Sequence, residues 1–194
     1  MDKVEKDYKE KYFEKVKPTG PIIVNLLGGP GCGKSSLGAY IFSKLKMLGV
    51  NAELITEVAK DKTWEKNFMA LDCQPYIFGK QCYRMDRCKG QVDVIVTDSP
   101  LILTSLYNHD KNIEPEFSQV VLKKFLEFRN ICYFLKRQKE YNPIGRNQTE
   151  EEAKQLDTEV KALLKMNCIP FLEIPGTIEE ADKIVDEIYE LLTK

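Results

Sequence analysis

A chain of 194 residues with 43% hydrophobic and 30% charged side chains can bury one proper core, and its composition is that of an ordinary soluble domain. A formal net charge of -1 excludes the global basic field that governs non-specific nucleic-acid binding and leaves only local basic patches. Six scattered cysteines without a C-x-x-C pair, and a single histidine, argue against a zinc site or a disulfide framework.

In chain order, residues 2–16 place Val4, Tyr8, Tyr12, Phe13 and Val16 at helical spacing among lysines and glutamates. An amphipathic N-terminal extension over residues 1–20 is expected, stopped by Pro18, Gly20 and Pro21 and available to pack on the sheet edge or on a partner, a second copy in a homodimer included. It has no apolar segment of the secretory type, and no run is long enough to span a bilayer, so no membrane contact and a cytoplasmic location are the expectation.

Residues 21–194 read as a single domain. The apolar run from Ile22 to Leu27 predicts a buried strand. It opens into Gly28-Gly29-Pro30-Gly31-Cys32-Gly33-Lys34-Ser35, which fills G-x-x-x-x-G-K-[ST] without a mismatch. In such a P-loop the glycines let successive N–H groups converge on an anion, and the following helix adds its positive end. Gly29, Gly31, Cys32, Gly33, Lys34, Ser35 and Ser36 are therefore the candidate nucleotide-binding residues. Lys34 would reach the β- and γ-phosphates of ATP, and the Ser35 hydroxyl would ligate Mg²⁺.

A helix with Leu37, Tyr40, Ile41, Leu45 and Leu48 inward follows, then a strand over residues 51–56 ending on polar residues from Thr56 to Asp61. An irregular stretch over 63–75 precedes a helix from Tyr76 that ends at Gly90. A third strand, residues 92–98, closes on Asp98. A helix over 115–128 should bury Phe117, Val120, Val121, Phe125 and Phe128, and a fourth strand covers 131–135. Cys132 in that strand and Cys168 before the fifth read as small core residues. Residues 136–149 are basic and broken by Pro143 and Gly145, as suits a lid. Thr149 can N-cap a helix over 150–165, residues 169–174 form a fifth strand, and a last helix starts at Thr177. Strands alternating with helices predict an α/β fold with a parallel sheet.

Three sites narrow the chemistry. Asp98, at the end of a strand beside the P-loop, stands where a carboxylate holds Mg²⁺. Ser99 follows it, in place of the glutamate of water-activating motor ATPases, and no Asn-Lys-x-Asp guanine signature is present. Glu57 could take the proton of an attacking hydroxyl, with Asp61 as a rival. Arg137 and Arg146 could neutralise the transferred phosphoryl group and exclude water.

The P-loop, the stretch from Thr56 to Asp61, Thr97-Asp98-Ser99-Pro100 and Tyr141-Asn142-Pro143-Ile144-Gly145-Arg146 together resemble an AAA-type P-loop family common in bacteriophage genomes and related to the ribosylnicotinamide kinase domain of NadR. The resemblance implies a three-layer nucleoside/nucleotide-kinase-like P-loop NTPase fold, with a five-stranded parallel sheet of order 2-3-1-4-5 and helices on both faces. It also implies a kinase that uses ATP and Mg²⁺ to phosphorylate a hydroxyl of a nucleoside- or nucleotide-like acceptor, with Glu57 as base and Gln81, helped by Arg84, reading the acceptor. Some similar phage kinases act on hydroxymethylated pyrimidines in DNA. This keeps 5-hydroxymethyluracil in DNA as an alternative acceptor, with Lys80, Arg84, Arg87 and Lys89 along a backbone and Trp64 or Tyr83 stacking on a flipped base. A second alternative is a non-kinase ATPase docking a protein partner through residues 2–16.

Overall fold

The computed structural model describes residues 20–138 and 149–193. The expected N-terminal helix, most of the expected lid and Arg146 lie outside them.

The described elements are β1 (Ile22–Leu27), α1 (Lys34–Met47), β2 (Ala52–Ile55), α2 (Val58–Trp64), α3 (Phe68–Asp72), α4 (Gln74–Asp86), β3 (Val94–Thr97), α5 (Glu116–Leu126), β4 (Arg129–Lys136), α6 (Glu150–Met166), β5 (Leu172–Pro175) and α7 (Ile178–Thr193), with short 3-10 turns at Leu101–Ser105 and Lys111–Ile113. The strands form one parallel sheet of order β2-β3-β1-β4-β5.

Every residue of β1 is buried, because it is the central strand of a sheet covered on both faces. Ile22, Val24 and Leu26 face Leu37, Ile41 and Leu45 of α1 and Ala181, Ile184, Val185 and Ile188 of α7. The alternate residues Ile23 and Leu27 face Met85 of α4, Val121 and Phe125 of α5, and Val160 and Leu164 of α6. The strand's period of two thus feeds two cores.

Asn25 breaks the apolar run. Fully buried, it donates from Nδ2 to Asn130 Oδ1 at 2.9 Å, and Asn130 donates to the carbonyls of Phe125 at 2.6 Å and Phe128 at 3.0 Å. This polar pair ties β1 to the entrance of β4.

Four expectations are corrected. Leu48, expected to face inward, is 46% exposed just past the end of α1. The stretch over 63–75, expected to be irregular, contains the end of α2, all of α3 and the start of α4; Asn67 caps α3 by accepting from the Ala70 N–H. Val120 is 53% exposed because α5 turns Phe117, Val121 and Phe125 to the sheet and leaves residue 120 outside. Cys168 is exposed in a left-handed turn after α6, with φ 53°, while Cys132 is buried and its thiol is pushed up to about 12 by burial. The helix start at Thr149 is as expected: its hydroxyl accepts from the Glu152 N–H, and Glu152 accepts from the Thr149 N–H. No helix among the described residues is long and apolar enough to cross a membrane.

Candidate functional site

The chain leaves β1 toward β3 and β2 on one side and later lays β4 and β5 on the other. That reversal opens a crevice beyond the carboxyl ends of the strands, where ligands of open α/β sheets bind. Residues 28–33 curl over the end of β1 and deliver the chain into α1. Gly33 N-caps that helix at φ 98°, with open space where a Cβ would be, so conformation alone makes glycine the fitting residue. The Lys34 ammonium donates to the carbonyls of Gly28 at 2.7 Å and Gly29 at 3.0 Å, inside the curl.

Register brings the carboxylates to the same place. Asn25 and Ile55 both stand opposite Thr97, so Asp98 and the Thr56-Glu57 step leave the sheet side by side. The Thr97 hydroxyl secures this edge, donating to the Ile55 carbonyl at 2.8 Å and accepting from the Ser99 N–H at 3.1 Å. Asp98, 4% exposed, accepts from the Ser35 hydroxyl at 2.5 Å through Oδ2, while its buried Oδ1 has no hydrogen-bond partner. An orphaned carboxylate oxygen beside a hydroxyl fits a hard divalent cation, which takes oxygen donors and completes its shell with phosphates and water. No cluster of three or more His, Cys, Asp or Glu side chains able to hold a metal occurs among the described residues, so protein groups alone do not complete such a shell there.

Glu57 is the residue before α2, and its side chain makes no capping bond. Burial raises its carboxyl above the ordinary glutamate value, the nearby Lys34 opposes that rise, and the Asp98 charge adds to it. Glu57 shares one cavity of about 430 Å³ with Gly31, Gly33, Lys34, Ser35, Ser36 and Asp98. Ile77, Leu103, Gln74, Thr104, Tyr107 and His109 line the same cavity.

The family model for an AAA domain matches residues 23–181, a span covering β1 to the start of α7. The chain belongs to the AAA-domain family. No curated protein matches it. As an AAA-domain protein with an intact P-loop it is of the nucleotide-binding P-loop NTPase type, and its strand order agrees with that class.

Several candidates from the sequence lie elsewhere in this AAA domain. Gln81 does not line the cavity; it accepts from the Val58 N–H at 3.3 Å and donates to the Thr56 carbonyl at 3.3 Å. Arg84 donates to the same carbonyl at 3.0 Å and to Asp61 at 2.6 Å, which also places Asp61 in an ion pair away from the cavity lining. Both residues brace the corner that carries Glu57. Gly29 and Cys32 belong to the loop but not to the cavity wall, and the Cys32 side chain is buried beneath it. Arg137 is occupied outside the cavity, donating to Asp157 at 2.7 Å, to the Pro30 carbonyl at 2.7 Å and to the Ala153 carbonyl at 2.9 Å.

Sequence reasoning does not single out Gln74, Thr104, Tyr107 or Asp157. Gln74-Pro75 carries one usable signal, a proline early in a helix, which marks residue 74 as a helix start. Asp157 carries none, being one acid among many on α6.

Proposed function

We propose that this protein transfers the γ-phosphoryl group of ATP to a hydroxyl of a nucleoside- or nucleotide-like acceptor. One observation carries the reading: a carboxylate held half-buried in the wall of the same cavity as the phosphate loop, a cavity also lined by apolar and hydrogen-bonding residues outside that loop. Motor-type hydrolysis needs a water-activating carboxylate next to the Walker acid, and Ser99 stands there instead.

In this reading the loop amides and Lys34 hold the β- and γ-phosphates. Ser35 and Asp98 would hold Mg²⁺, which when bound supplies charge neutralisation on the phosphates. Glu57 accepts the acceptor's hydroxyl proton as its oxygen attacks phosphorus, and burial suits it to the task by making its carboxylate more basic. Ile77, Leu103 and Pro100 offer apolar walls, while the Gln74 amide and the Thr104 and Tyr107 hydroxyls offer polar contacts, a lining that suits a flat heterocycle bearing hydrogen-bonding groups.

The basic residues expected to follow a DNA backbone are largely engaged: Arg84 with Asp61, Arg87 with Glu53, and Lys89 with Asp86 and Glu127. The small-acceptor reading is therefore preferred. ADP release measured across a panel of nucleosides and nucleotides should rise strongly with one member. Label from γ-labelled ATP entering duplex DNA with 5-hydroxymethyluracil, and no free nucleoside, would replace the acceptor. Turnover indifferent to every acceptor would replace the reaction with plain hydrolysis.

A further inference from the structure

The outer side of the phosphate loop is held by α6. That helix comes so near Gly29 that a Cβ there would lie 2.4 Å from the Ala153 carbonyl oxygen, 2.8 Å from an Arg137 guanidinium nitrogen and 3.0 Å from an Asp157 carboxylate oxygen. Glycine is needed at this position to admit a neighbour. Asp157 spans the contact: Oδ1 accepts from the Gly29 N–H at 2.6 Å and Oδ2 accepts from Arg137 Nε at 2.7 Å. Arg137 then returns to the loop, donating to the Pro30 carbonyl at 2.7 Å. Two consecutive loop residues are thus gripped from outside, one by its amide and the next by its carbonyl. Lys34 holds the Gly28 and Gly29 carbonyls from inside. The Arg137 and Asp157 side chains are 17% and 18% exposed, so their charges are only partly screened by water.

We propose that Asp157 is a positioning residue of the nucleotide site. It fixes the Gly28–Gly29 peptide through the Gly29 N–H and so shapes the crown of the phosphate loop without touching the nucleotide, and Arg137 serves as its counter-charge. A lone carboxylate bonded to the phosphate loop would repel a triphosphate held there, and the Arg137 guanidinium offsets that charge. The assignment concerns nucleotide binding alone, so it holds whether the acceptor is a nucleoside, a base in DNA or water.

The test uses the full chain, with isothermal titration of the Mg²⁺ complex of the β,γ-imido analogue of ATP and thermal unfolding of each variant. Asp157→Ala should weaken binding about tenfold through the lost charged acceptor, and Asp157→Asn should cost less, because its amide oxygen still accepts from Gly29 although its NH2 then faces the Arg137 Nε–H donor. Arg137→Ala should cost at least as much as Asp157→Ala, and the double variant no more than Arg137→Ala alone. A lowered Tm with unchanged nucleotide affinity in Asp157→Ala overturns the assignment, since that is what a purely structural pair would show. Tighter binding or faster turnover in Asp157→Ala overturns it too, because Asp157 would then be restraining Arg137 from the phosphates. Where Asp157→Ala does not fold, Arg137→Ala is compared with and without Asp157→Asn. Neutralising residue 157 should recover most of the lost affinity, and no recovery overturns the proposal.

Discussion

The Ser35 hydroxyl donates to the Asp98 carboxylate at 2.5 Å across 63 residues of sequence, joining the start of α1 to the end of β3. Parallel pairing makes this meeting unavoidable, since β1 and β3 are neighbours and both run out at the same edge. It leaves the buried Asp98 Oδ1 with no partner, an arrangement costly for a carboxylate that had no further role.

Asp98→Asn should therefore raise the Mg²⁺ concentration needed for half-maximal activity by about tenfold or more, the scale seen when groups ordering a metal are altered. The same titration on Ser35→Ala should shift in the same direction. An unchanged Mg²⁺ requirement in both would remove the metal role from this pair.

Lys34→Ala should lower kcat by on the order of 10²–10³-fold, because a preorganised positive donor to the transferring phosphoryl group is lost. Steady-state ADP release at saturating ATP measures it. The loop carbonyls of Gly28 and Gly29, which Lys34 now satisfies, would lose that donor as well, so a modest fall in Tm should accompany the kinetic loss.

Glu57→Gln separates chemistry from binding. Acceptor phosphorylation should fall by about 10²–10⁴-fold while ATP affinity stays near wild type. In the wild type, burial lifts the Glu57 carboxyl, so the acid limb of the kcat/KM profile should lie above the ordinary carboxylate range.

Stability gives an independent check on that carboxyl. The folded protein keeps its proton at pH values where the unfolded chain has lost it, so stability falls as pH rises from the ordinary glutamate value through the raised one. Glu57→Gln removes this penalty. Its Tm should exceed that of the wild type near about pH 8, and the difference should shrink toward about pH 4.

Asn130→Ala should destabilise the fold by about 1–3 kcal/mol, because it strips buried partners from Asn25 and from the Phe125 and Phe128 carbonyls. Urea unfolding should show a lower midpoint with an unchanged slope.

Much of this fold was legible because its determinants are local. The runs at 22–27 and 94–96 need cover on both faces, and the loop motif names its own conformation. The α2–α3 segment was not legible, because Trp64, Phe68 and Met69 are exposed and give no inward periodicity to read. Of the site, Lys34, Ser35, Glu57 and Asp98 could be found from motif and strand ends. Gln81 and Arg84 could be named from resemblance, but their register on α4 is a matter of packing, which turns them to the Thr56 carbonyl. Asp157 was invisible because its importance comes from a neighbour 128 residues away.

The brace on Thr56 has a mechanical corollary. Gln81 and Arg84 both hang the β2 terminus from α4, and α4 begins with Gln74, which lines the cavity. One helix thus reaches both the cavity lining, through Gln74, and the strand end that carries Glu57. A substitution that displaces this helix would therefore disturb the lining and the Glu57 step together.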